Sequence, residues 1–325
     1  MTHTRKDIHG ERERHRVLEA LNTFDDKGMS PAVFEKQTLE LLDIPGARDA
    51  GNVLQCYLAR FASSSYGSSP LVGRLDGTGT VDEILRHRFT FHHEAHELPR
   101  DIDWEYNPGT AHWGHDLNRF AYLRVLYAAF KKTGKREYAE KAVGLILDWI
   151  RKTDVCDAFV PGKSAYVWSS YLNIGIHIEV WAGVLAALLP QAPDLVKPLD
   201  FLHILKSVHD QLHYLDMVVP EAGNSNWVTI GTRCQLSTLA FFPAFRDTVQ
   251  LATTAYKRLA ATLDVQVLPD GVQFELAPGY HLCVAVNLQT VLTAEQYLPV
   301  PVPGSIPQVL KKMLLYLRQT LTPDG

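Results

Sequence analysis

The sequence predicts an all-α protein built from helical hairpins. In much of the 325-residue chain, apolar residues recur at the 3.6-residue period of an amphipathic helix. Breaks that contain proline or glycine separate these stretches, as short turns between antiparallel helices do. Alternation of apolar and polar residues, which is typical of a half-buried strand, extends over no more than a few residues. Stacked helix pairs of this kind form a toroid, a solenoid or a bundle, and periodicity alone fits all three.

The first 80 residues are predicted to form a helical segment of their own. Helices are expected at 11–21, 31–42 and 52–62. The stretch that follows, 63–79, is rich in Ser, Gly and Tyr, a composition typical of a flexible joint. We therefore divide the chain into an N-terminal helical segment with its joint, 1–79, and a helical domain, 80–325.

The central hairpin is the clearest part of the pattern. The stretch 115–132 is apolar on nearly every side, which predicts a helix sandwiched between others. Gly134 then ends this helix, and the stripe from Tyr138 to Trp149 predicts its antiparallel partner. Further helices are expected at 164–189, 196–215, 227–242, 245–263, 281–295 and 307–321. Between two of them, 264–275 permits at most a small hairpin around a Pro-Asp-Gly turn.

Composition excludes several classes of protein. Hydrophobic residues make up 46% and charged residues 21% of the chain, which excludes a disordered, collagen-like or coiled-coil protein. Because chains of about 300 residues bury roughly three quarters of their unfolded surface, the core needs no disulfides. The formal net charge of -4 lacks the basic excess of nucleic-acid-binding proteins. We therefore expect no nucleic-acid partner.

The sequence predicts neither a membrane span nor a signal peptide. We find no stretch that approaches the roughly 18 to 20 consecutive apolar residues of a membrane helix. The N-terminus is rich in Arg, His and Glu and contains no apolar run. We expect a protein without membrane contact that is cytoplasmic as written, or periplasmic or secreted if its native N-terminus lies further upstream.

We also expect no metal site. The four cysteines are scattered without CxxC spacing, so we expect buried free thiols. His92 and His96 have i,i+4 spacing but fall in 89–99, which we expect to be loop or extended chain. His209 and His213 share that spacing on a predicted helix and flank its apolar stripe, which favours partial burial on the shoulder of the helix.

A first cluster of aromatic and polar residues extends from Asp103 to Arg119 and contains Trp104 and Trp113. Aromatic rings beside polar side chains suit a sugar, because the ring faces stack while the hydroxyl groups find donors and acceptors. The alternative is a loop that its two tryptophans pack onto the core.

Two further clusters accompany predicted helix starts. Asn224 and Asn226 precede Trp227, where asparagine either caps the helix or binds a carboxylate with help from the helix dipole. Further along, Glu275 is followed by Tyr280 and a histidine after a Pro-Gly turn. Tyr280 fits either a general acid or base or a core residue with a hydrogen-bonded hydroxyl.

Taken together, these clusters resemble the heparinase II/III-like polysaccharide lyases. The first part of the likeness is Ile102-Asp-Trp-Glu-Tyr-Asn-Pro108, Trp113, Leu117-Asn-Arg119, Thr133-Gly134, Tyr138-Ala139 and Asp148-Trp149-Ile150. The second part is the helix start from Asn224 to Trp227, then Phe242-Pro243, Asp270-Gly271, Glu275 and Tyr280-His281. The order and spacing of these parts agree with the family over about 85–281.

The resemblance implies an incomplete (α/α) toroid that is followed by a β-sandwich domain. We expect the sandwich to be absent from this chain, which would then be the helical part of a longer enzyme. The family draws a catalytic histidine, and in some members a metal ion, from that sandwich. The resemblance therefore implies no cofactor in this chain.

The resemblance also implies a polysaccharide lyase that cleaves a uronic-acid-containing polysaccharide, such as heparan sulfate or a related glycosaminoglycan, by β-elimination. Asn226 would bind the uronate carboxylate, with Asn224 as the competing assignment. Tyr280 would protonate the leaving oxygen and could also serve as the base. The other substrate-binding residues that the resemblance implies are Trp113, Arg119, Trp168, His281 and Glu275.

The sequence departs from the family pattern at two places. Trp227 stands where some members have a histidine, so the members that rely on tyrosine are the better guide. The helix after Trp168 reads Gly175-Ile176-His177 where a substrate-binding arginine would be expected.

Two other functions fit the same residues. A glycoside hydrolase on this helical fold would need two carboxylates that face the cleft, and Asp103, Glu105 and Glu275 are the candidates. A non-catalytic carbohydrate-binding domain would bind the polymer without cleaving it.

Overall fold

The computed structural model describes residues 5–63, 79–160, 163–168, 171–223 and 225–320. The chain divides into two compact units, Met1–Tyr214 and Leu215–Gly325, which are called the first and the second unit below. The sequence-based boundary at residue 79 stays a prediction, and nearly all of the joint expected at 63–79 lies outside the described residues.

Helices account for nearly all the regular structure of the described ranges. In chain order they are α1 (Arg5–Ala20), α2 (Pro31–Glu40), α3 (Ala50–Ser63), α4 (Val81–Leu85), α5 (Ala111–Arg119), α6 (Leu123–Thr133), α7 (Arg136–Lys152), α8 (Tyr171–Leu188), α9 (Pro198–Val218), α10 (Asn226–Phe241), α11 (Thr248–Gln266), α12 (Pro278–Ala294) and α13 (Ser305–Thr320). One antiparallel hairpin, β1 (Arg88–Phe91) with β2 (Glu94–Glu97), pairs Arg88 with Glu97 and Phe91 with Glu94. The all-α prediction is confirmed.

Several helix ends follow directly from local sequence. Ser30 caps α2 by accepting a hydrogen bond from the Val33 amide, and proline occupies the first helical position. Thr80 and Glu83 form a capping box at the start of α4. Gly134 ends α6 with a φ of 69°, in the left-handed region that favours glycine.

The single helix predicted over 115–132 is wrong, because the chain breaks into α5 and α6 at Phe120. This phenylalanine adopts a φ of 58°, which a bulky residue rarely does. Its buried ring lies 5.2 Å from the ring of Trp104 and 5.3 Å from that of Trp181. Aromatic packing therefore offsets the backbone strain at this position.

The predicted start of the next helix at residue 164 is also wrong, since α8 begins at Tyr171. The preceding residues form a short segment, 163–168, which we call the strap. Glu105 accepts hydrogen bonds from the strap amides of Tyr166, at 2.9 Å, and Val167, at 3.3 Å. These amides therefore bind a side chain instead of extending the helix.

The small hairpin expected over 264–275 is present in reduced form. Helix α11 continues to Gln266, and a single antiparallel bridge joins Val267 to Gln273. Gly271 turns the chain with a φ of 91°, and a side chain there would meet the Lys312 carbonyl oxygen at 2.5 Å. Glycine is therefore required at this turn both by conformation and by space.

Ion pairs hold the N-terminal helices on the rest of the first unit. Arg14 of α1 contacts Asp154 at 2.5 Å, between Nη1 and Oδ2. The buried ammonium of Lys206 on α9 lies 2.7 Å from Asp210 and 3.5 Å from Asp26. The segment before the joint therefore packs against α9.

The core of the first unit contains a buried polar network among aromatic rings. Asn118 accepts a hydrogen bond from the Trp149 indole at 3.0 Å and donates to the Trp104 carbonyl at 2.8 Å. His177 lies over Trp181, donates through Nδ1 to the Asn118 carbonyl at 3.0 Å, and has Gln211 at Nε2. Burial lowers the pKa of His177 to about 4, although the hydrogen bonds with Gln211 and Asn118 act to raise it.

Helix α8 is long and apolar enough to cross a membrane, contrary to the expectation from the sequence. However, 83% of its residues are buried within the protein. That burial is typical of the central helix of a globular core.

The four cysteines are free, but only two of them are buried as predicted. Cys156 and Cys234 lie in the core, Cys283 is half-buried, and Cys56 is exposed on α3.

Candidate active site

Two helix starts lie at the same end of the second unit. Gln266, at the end of α11, donates its side-chain amide to the Ser225 carbonyl just before α10 at 2.6 Å. The chain then returns through the loop 267–277 to the start of α12. Within this loop the Gln273 amide donates to His281 Nδ1 in the first turns of α12, at 3.3 Å. The N-termini of α10 and α12 therefore both adjoin this loop.

This end of the second unit carries the two residues predicted to be catalytic. Asn226 is the first residue of α10 and is only 5% exposed. Tyr280 lies in the first turn of α12, and its side chain is exposed at 49%. The competing assignment, Asn224, lies outside the described residues.

The electrostatics of this end favour an anion. Backbone amides at a helix N-terminus carry a partial positive charge. Within the described residues, neither N-cap, Ser225 of α10 or Ala277 of α12, makes a side-chain capping hydrogen bond. The N-cap residue of α10 is Ser225 and not an asparagine, and its side chain does not cap the helix. The described residues therefore do not support the alternative that this cluster only caps α10.

Two surface side chains flank these helix starts. Trp227, next to Asn226, is exposed at 50% and presents an aromatic face to solvent. Glu275 is exposed and makes two hydrogen bonds with Gln273. Its carboxylate accepts from the Gln273 side-chain amide, and its backbone amide donates to the Gln273 side-chain oxygen, both at 2.9 Å. The carboxylate is thus held close to the start of α12.

His281 is corrected from a substrate-lining residue to a structural one. Its ring is buried, and Nε2 donates to the Met313 carbonyl of α13 at 3.1 Å. Nδ1 accepts the Gln273 amide, so both ring nitrogens are engaged within the protein. His281 therefore anchors the loop 267–277 between α12 and α13.

The remaining predicted residues lie in the first unit, where Trp113 is also corrected. Trp113 is 0% exposed, and its indole donates to the Glu94 carbonyl at 3.2 Å. The packing alternative for the first cluster is therefore the right one for its tryptophans, since Trp104 is buried as well. Trp168 is almost fully buried but borders a cavity, so its substrate contact stays a prediction.

Arg119 keeps a partly exposed guanidinium, with 30% of its side chain accessible. Nε donates to the Asn173 side-chain oxygen at 3.0 Å, and Nη1 donates to Asp116 at 2.7 Å. The prediction that Arg119 contacts substrate is compatible with this placement.

A cavity of about 510 Å³ in the first unit is lined by the carboxylates that a hydrolase would need. Both oxygens of Glu105 are occupied by strap amides. Asp103 accepts the Glu105 amide at 2.9 Å. These contacts give Asp103 and Glu105 structural partners, and the third candidate, Glu275, lies in the second unit.

The paired histidines lie only partly as the sequence predicts, because His209 is fully buried instead of half-buried on the shoulder of α9. His92 and His96 belong to the β1–β2 hairpin, which has no helix to align them. On α9, His209 is buried and His213 half-buried, with ring centroids 4.5 Å apart.

Sequence analysis missed Gln266, although its position carried a signal. Leu259, Leu263 and Gln266 follow one buried stripe of α11, so a polar side chain stands where an apolar one is expected. Its amide oxygen is buried without a hydrogen-bond partner among the described residues. Its amide nitrogen binds the Ser225 carbonyl, which satisfies the donor half of the buried amide.

The chain is similar in sequence to a family of known proteins. The family model described as heparinase II/III N-terminus matches residues 72–325. The heparin-sulfate lyase of Pedobacter heparinus is 26% identical over 251 residues, which are 75% of this chain and 37% of that protein. The heparin-sulfate lyase of Bacteroides stercoris is 23% identical over 271 residues, or 39% of its length.

Solved structures show the same fold. The crystal structure of heparan sulfate lyase HepC from Pedobacter heparinus has a TM-score of 0.72 at 19% identity, covering 89% of this chain and 49% of that one. A crystal structure of heparinase III has a TM-score of 0.71 at 15% identity, covering 89% and 48%. The predicted fold class, an incomplete (α/α) toroid, is confirmed. The chain spans about two fifths of these curated relatives and about half of the solved chains.

Proposed function

The chain belongs to the heparinase II/III family through its N-terminal helical domain, and from this membership we propose that it is a polysaccharide lyase. The proposed substrate is a uronic-acid-containing polysaccharide, heparan sulfate or a related glycosaminoglycan. Two curated relatives named as heparin-sulfate lyases support this class of substrate.

The proposed reaction is a β-elimination. A base removes the proton at C5 of the uronate, and the electron pair of that bond forms a double bond between C4 and C5. The bond from C4 to the glycosidic oxygen breaks, and an acid protonates the departing oxygen. Because the C5 proton is only weakly acidic, the site must neutralise the adjacent carboxylate and stabilise the charge that develops on it.

The observation that carries the proposal is that Asn226 and Tyr280 lie in the first turns of α10 and α12, two helices whose starts both adjoin the loop 267–277. The Asn226 amide and the N-terminal amides of α10 would bind the uronate carboxylate, with Asn224 as the competing assignment. Tyr280, whose side chain is open to solvent, would protonate the glycosidic oxygen and also serve as the base.

The surroundings of this pair fit a saccharide. Trp227 offers an exposed aromatic face, and stacking on a sugar ring is the role that we propose for it. Glu275 beside Tyr280 would accept a sugar hydroxyl. No step of the proposed reaction uses a metal or a cofactor held by this chain, and we propose no nucleic-acid or membrane partner.

Product analysis tests the proposal. The full-length protein, with the β-sandwich domain that the resemblance implies, is incubated with a panel of uronate polymers, and the products are followed by ultraviolet absorbance and mass spectrometry. A lyase gives unsaturated uronates that absorb in the ultraviolet. Saturated ends would establish a hydrolase instead, and binding without products would establish a carbohydrate-binding domain.

A further inference from the structure

A second cluster of polar side chains in the first unit is organised around one buried asparagine. His115 and Arg119 lie one turn apart on the same face of α5. Asn173 of α8, which is fully buried, contacts both of them. Its side-chain oxygen accepts Arg119 Nε at 3.0 Å, and its amide nitrogen lies 2.6 Å from His115 Nδ1. A guanidinium only donates, so the orientation of the Asn173 amide is fixed.

This orientation determines which donors remain available to a ligand. The Asn173 amide nitrogen donates to His115 Nδ1, so the neutral imidazole carries its proton on Nε2. Burial, together with Arg119 and His112, lowers the pKa of His115 and favours this neutral form. Among the described residues, neither His115 Nε2 nor Arg119 Nη2 has a hydrogen-bond partner. Within the described ranges, the two donors are therefore positioned by one asparagine and have no acceptor of their own.

An aromatic ring is held next to these donors. The ring centroid of Tyr166, in the strap, lies 5.3 Å from that of His115 at an interplanar angle of 68°. The ring packs on Gly114, where a side chain would come within 2.9 Å of it. Glu105 holds the Tyr166 amide, and Asn107 donates to the hydroxyl. The ring is only half-buried, so these contacts fix an aromatic face that solvent can reach.

We propose that Tyr166, His115 and Arg119 form a saccharide-binding subsite for a sugar ring that bears an acidic substituent. An aromatic face beside fixed polar groups suits a pyranose. A guanidinium and an imidazole N–H suit an anionic oxygen, which a carboxylate or a sulfate supplies. Asn173 is the residue that positions both donors.

The carboxylate of Asp116 favours an acidic sugar as the ligand of this subsite, in preference to inorganic phosphate. Its carboxylate contacts Arg119 at 2.7 Å and His92 at 2.7 Å, so a negative charge stands beside the guanidinium. That charge repels a dianion more strongly than the monoanionic carboxylate or sulfate of an acidic sugar, and it offers an acceptor to a sugar hydroxyl. The choice of an acidic polysaccharide as the ligand rests on the proposed function, but binding by this subsite requires no turnover.

The test measures binding in a Tyr280→Phe background, so that no ligand is consumed by the proposed reaction. Calorimetry compares three tetrasaccharides: an unsulfated uronate form, its N-sulfated counterpart and neutral N-acetylglucosamine. The variants are Arg119→Met and His115→Phe. His112→Phe is the matched control, because it removes an exposed imidazole from the same helix without touching Asn173.

We expect Arg119→Met and His115→Phe to weaken binding of the acidic tetrasaccharides by about tenfold or more. The affinity of His112→Phe for the acidic tetrasaccharides should stay within about twofold of the unsubstituted background. The affinity for the neutral tetrasaccharide should be the same in all variants. Equal losses for both acidic ligands would identify a carboxylate as the bound group, and a loss confined to the sulfated ligand would identify a sulfate. Should His115→Phe fail to fold, perturbation of the His115 imidazole resonances on titration of the parent replaces it.

The proposal is overturned if both variants bind the acidic ligands as tightly as His112→Phe, or if the chain binds no acidic tetrasaccharide at millimolar concentration. Its fate is separate from that of the proposed function. If the protein with Tyr280 binds acidic tetrasaccharides but yields no unsaturated product, the lyase proposal is refuted and the subsite proposal is unaffected. A parent that cleaves, with both variants binding normally, refutes the subsite alone.

Discussion

Gln266 donates its side-chain amide to the Ser225 carbonyl at 2.6 Å and so joins the end of α11 to the residue before Asn226. The Gln266 carbonyl accepts the Phe274 amide at 2.8 Å, in the loop that leads to Tyr280. One residue therefore contacts both segments that carry the proposed catalytic groups.

Replacing Gln266 by leucine should destabilise the second unit and impair catalysis. The substitution leaves the Ser225 carbonyl without its donor, which costs about 1–3 kcal/mol when the group is buried. We expect a lower urea midpoint and a lower kcat in Gln266→Leu. The matched control is Gln289→Leu on the exposed face of α12, which should change stability by no more than about 0.5 kcal/mol. Equal behaviour of the two variants would contradict a positioning role for Gln266.

Asn226→Asp should weaken the handling of a charged substrate specifically. The substitution keeps the shape of the side chain but places a carboxylate where the uronate carboxylate is proposed to bind. Losing one charge-assisted hydrogen bond, about 1.5–3 kcal/mol, lowers kcat/KM by roughly 10- to 150-fold. A methyl-esterified polymer serves as the matched substrate, because it lacks the charge. A variant equally impaired on both polymers would show that Asn226 does not bind the carboxylate.

Glu105→Gln should destabilise the strap without changing the type of product. One oxygen becomes an amide that faces a backbone N–H, so we expect a loss of about 1–3 kcal/mol in the free energy of unfolding. Glu137→Gln, on the exposed start of α7, is the control and should be nearly neutral. If Glu105→Gln instead kept full stability and abolished release of saturated products, Glu105 would be the acid of a hydrolase.

Acidification should destabilise the first unit through His177. Burial lowers its pKa to about 4, whereas an unfolded histidine titrates near 6.5. Between these values the unfolded state binds more protons, so stability is full above pH ~6.5 and falls as the pH approaches 4, by at most about 3 kcal/mol. Urea unfolding at several pH values checks this. His177→Gln should flatten the dependence in that window, and an unchanged slope would count against the assignment.

Much of the fold could be predicted from the sequence, because helix periodicity and Pro or Gly breaks are local signals. The break at Phe120 could not, since it depends on rings from Trp104 and Trp181 that lie 16 and 61 positions away in the chain. Nor does sequence distinguish a buried Trp113 from an exposed Trp227, because both stand beside polar residues. Exposure is decided by tertiary packing.

The candidate site was only partly accessible to sequence reasoning. Asn226 and Tyr280 were identified by resemblance, but 54 positions separate them, and only the contacts of Gln266 and the loop 267–277 show that they lie at one end of the second unit. His281 was assigned to substrate because it adjoins Tyr280. On a helix, adjacent residues point in different directions, and His281 faces the core.

The most direct test of the lyase proposal is the turnover of Tyr280→Phe. Its phenol is exposed, so the substitution should leave the thermal midpoint unchanged, while loss of the proton donor lowers kcat by roughly 10²- to 10⁴-fold with little change in substrate affinity. Tyr297→Phe, a half-buried tyrosine in the same unit, is the control. Unsaturated uronate should form with the parent and Tyr297→Phe, and almost none with Tyr280→Phe. Full activity of Tyr280→Phe would contradict the account.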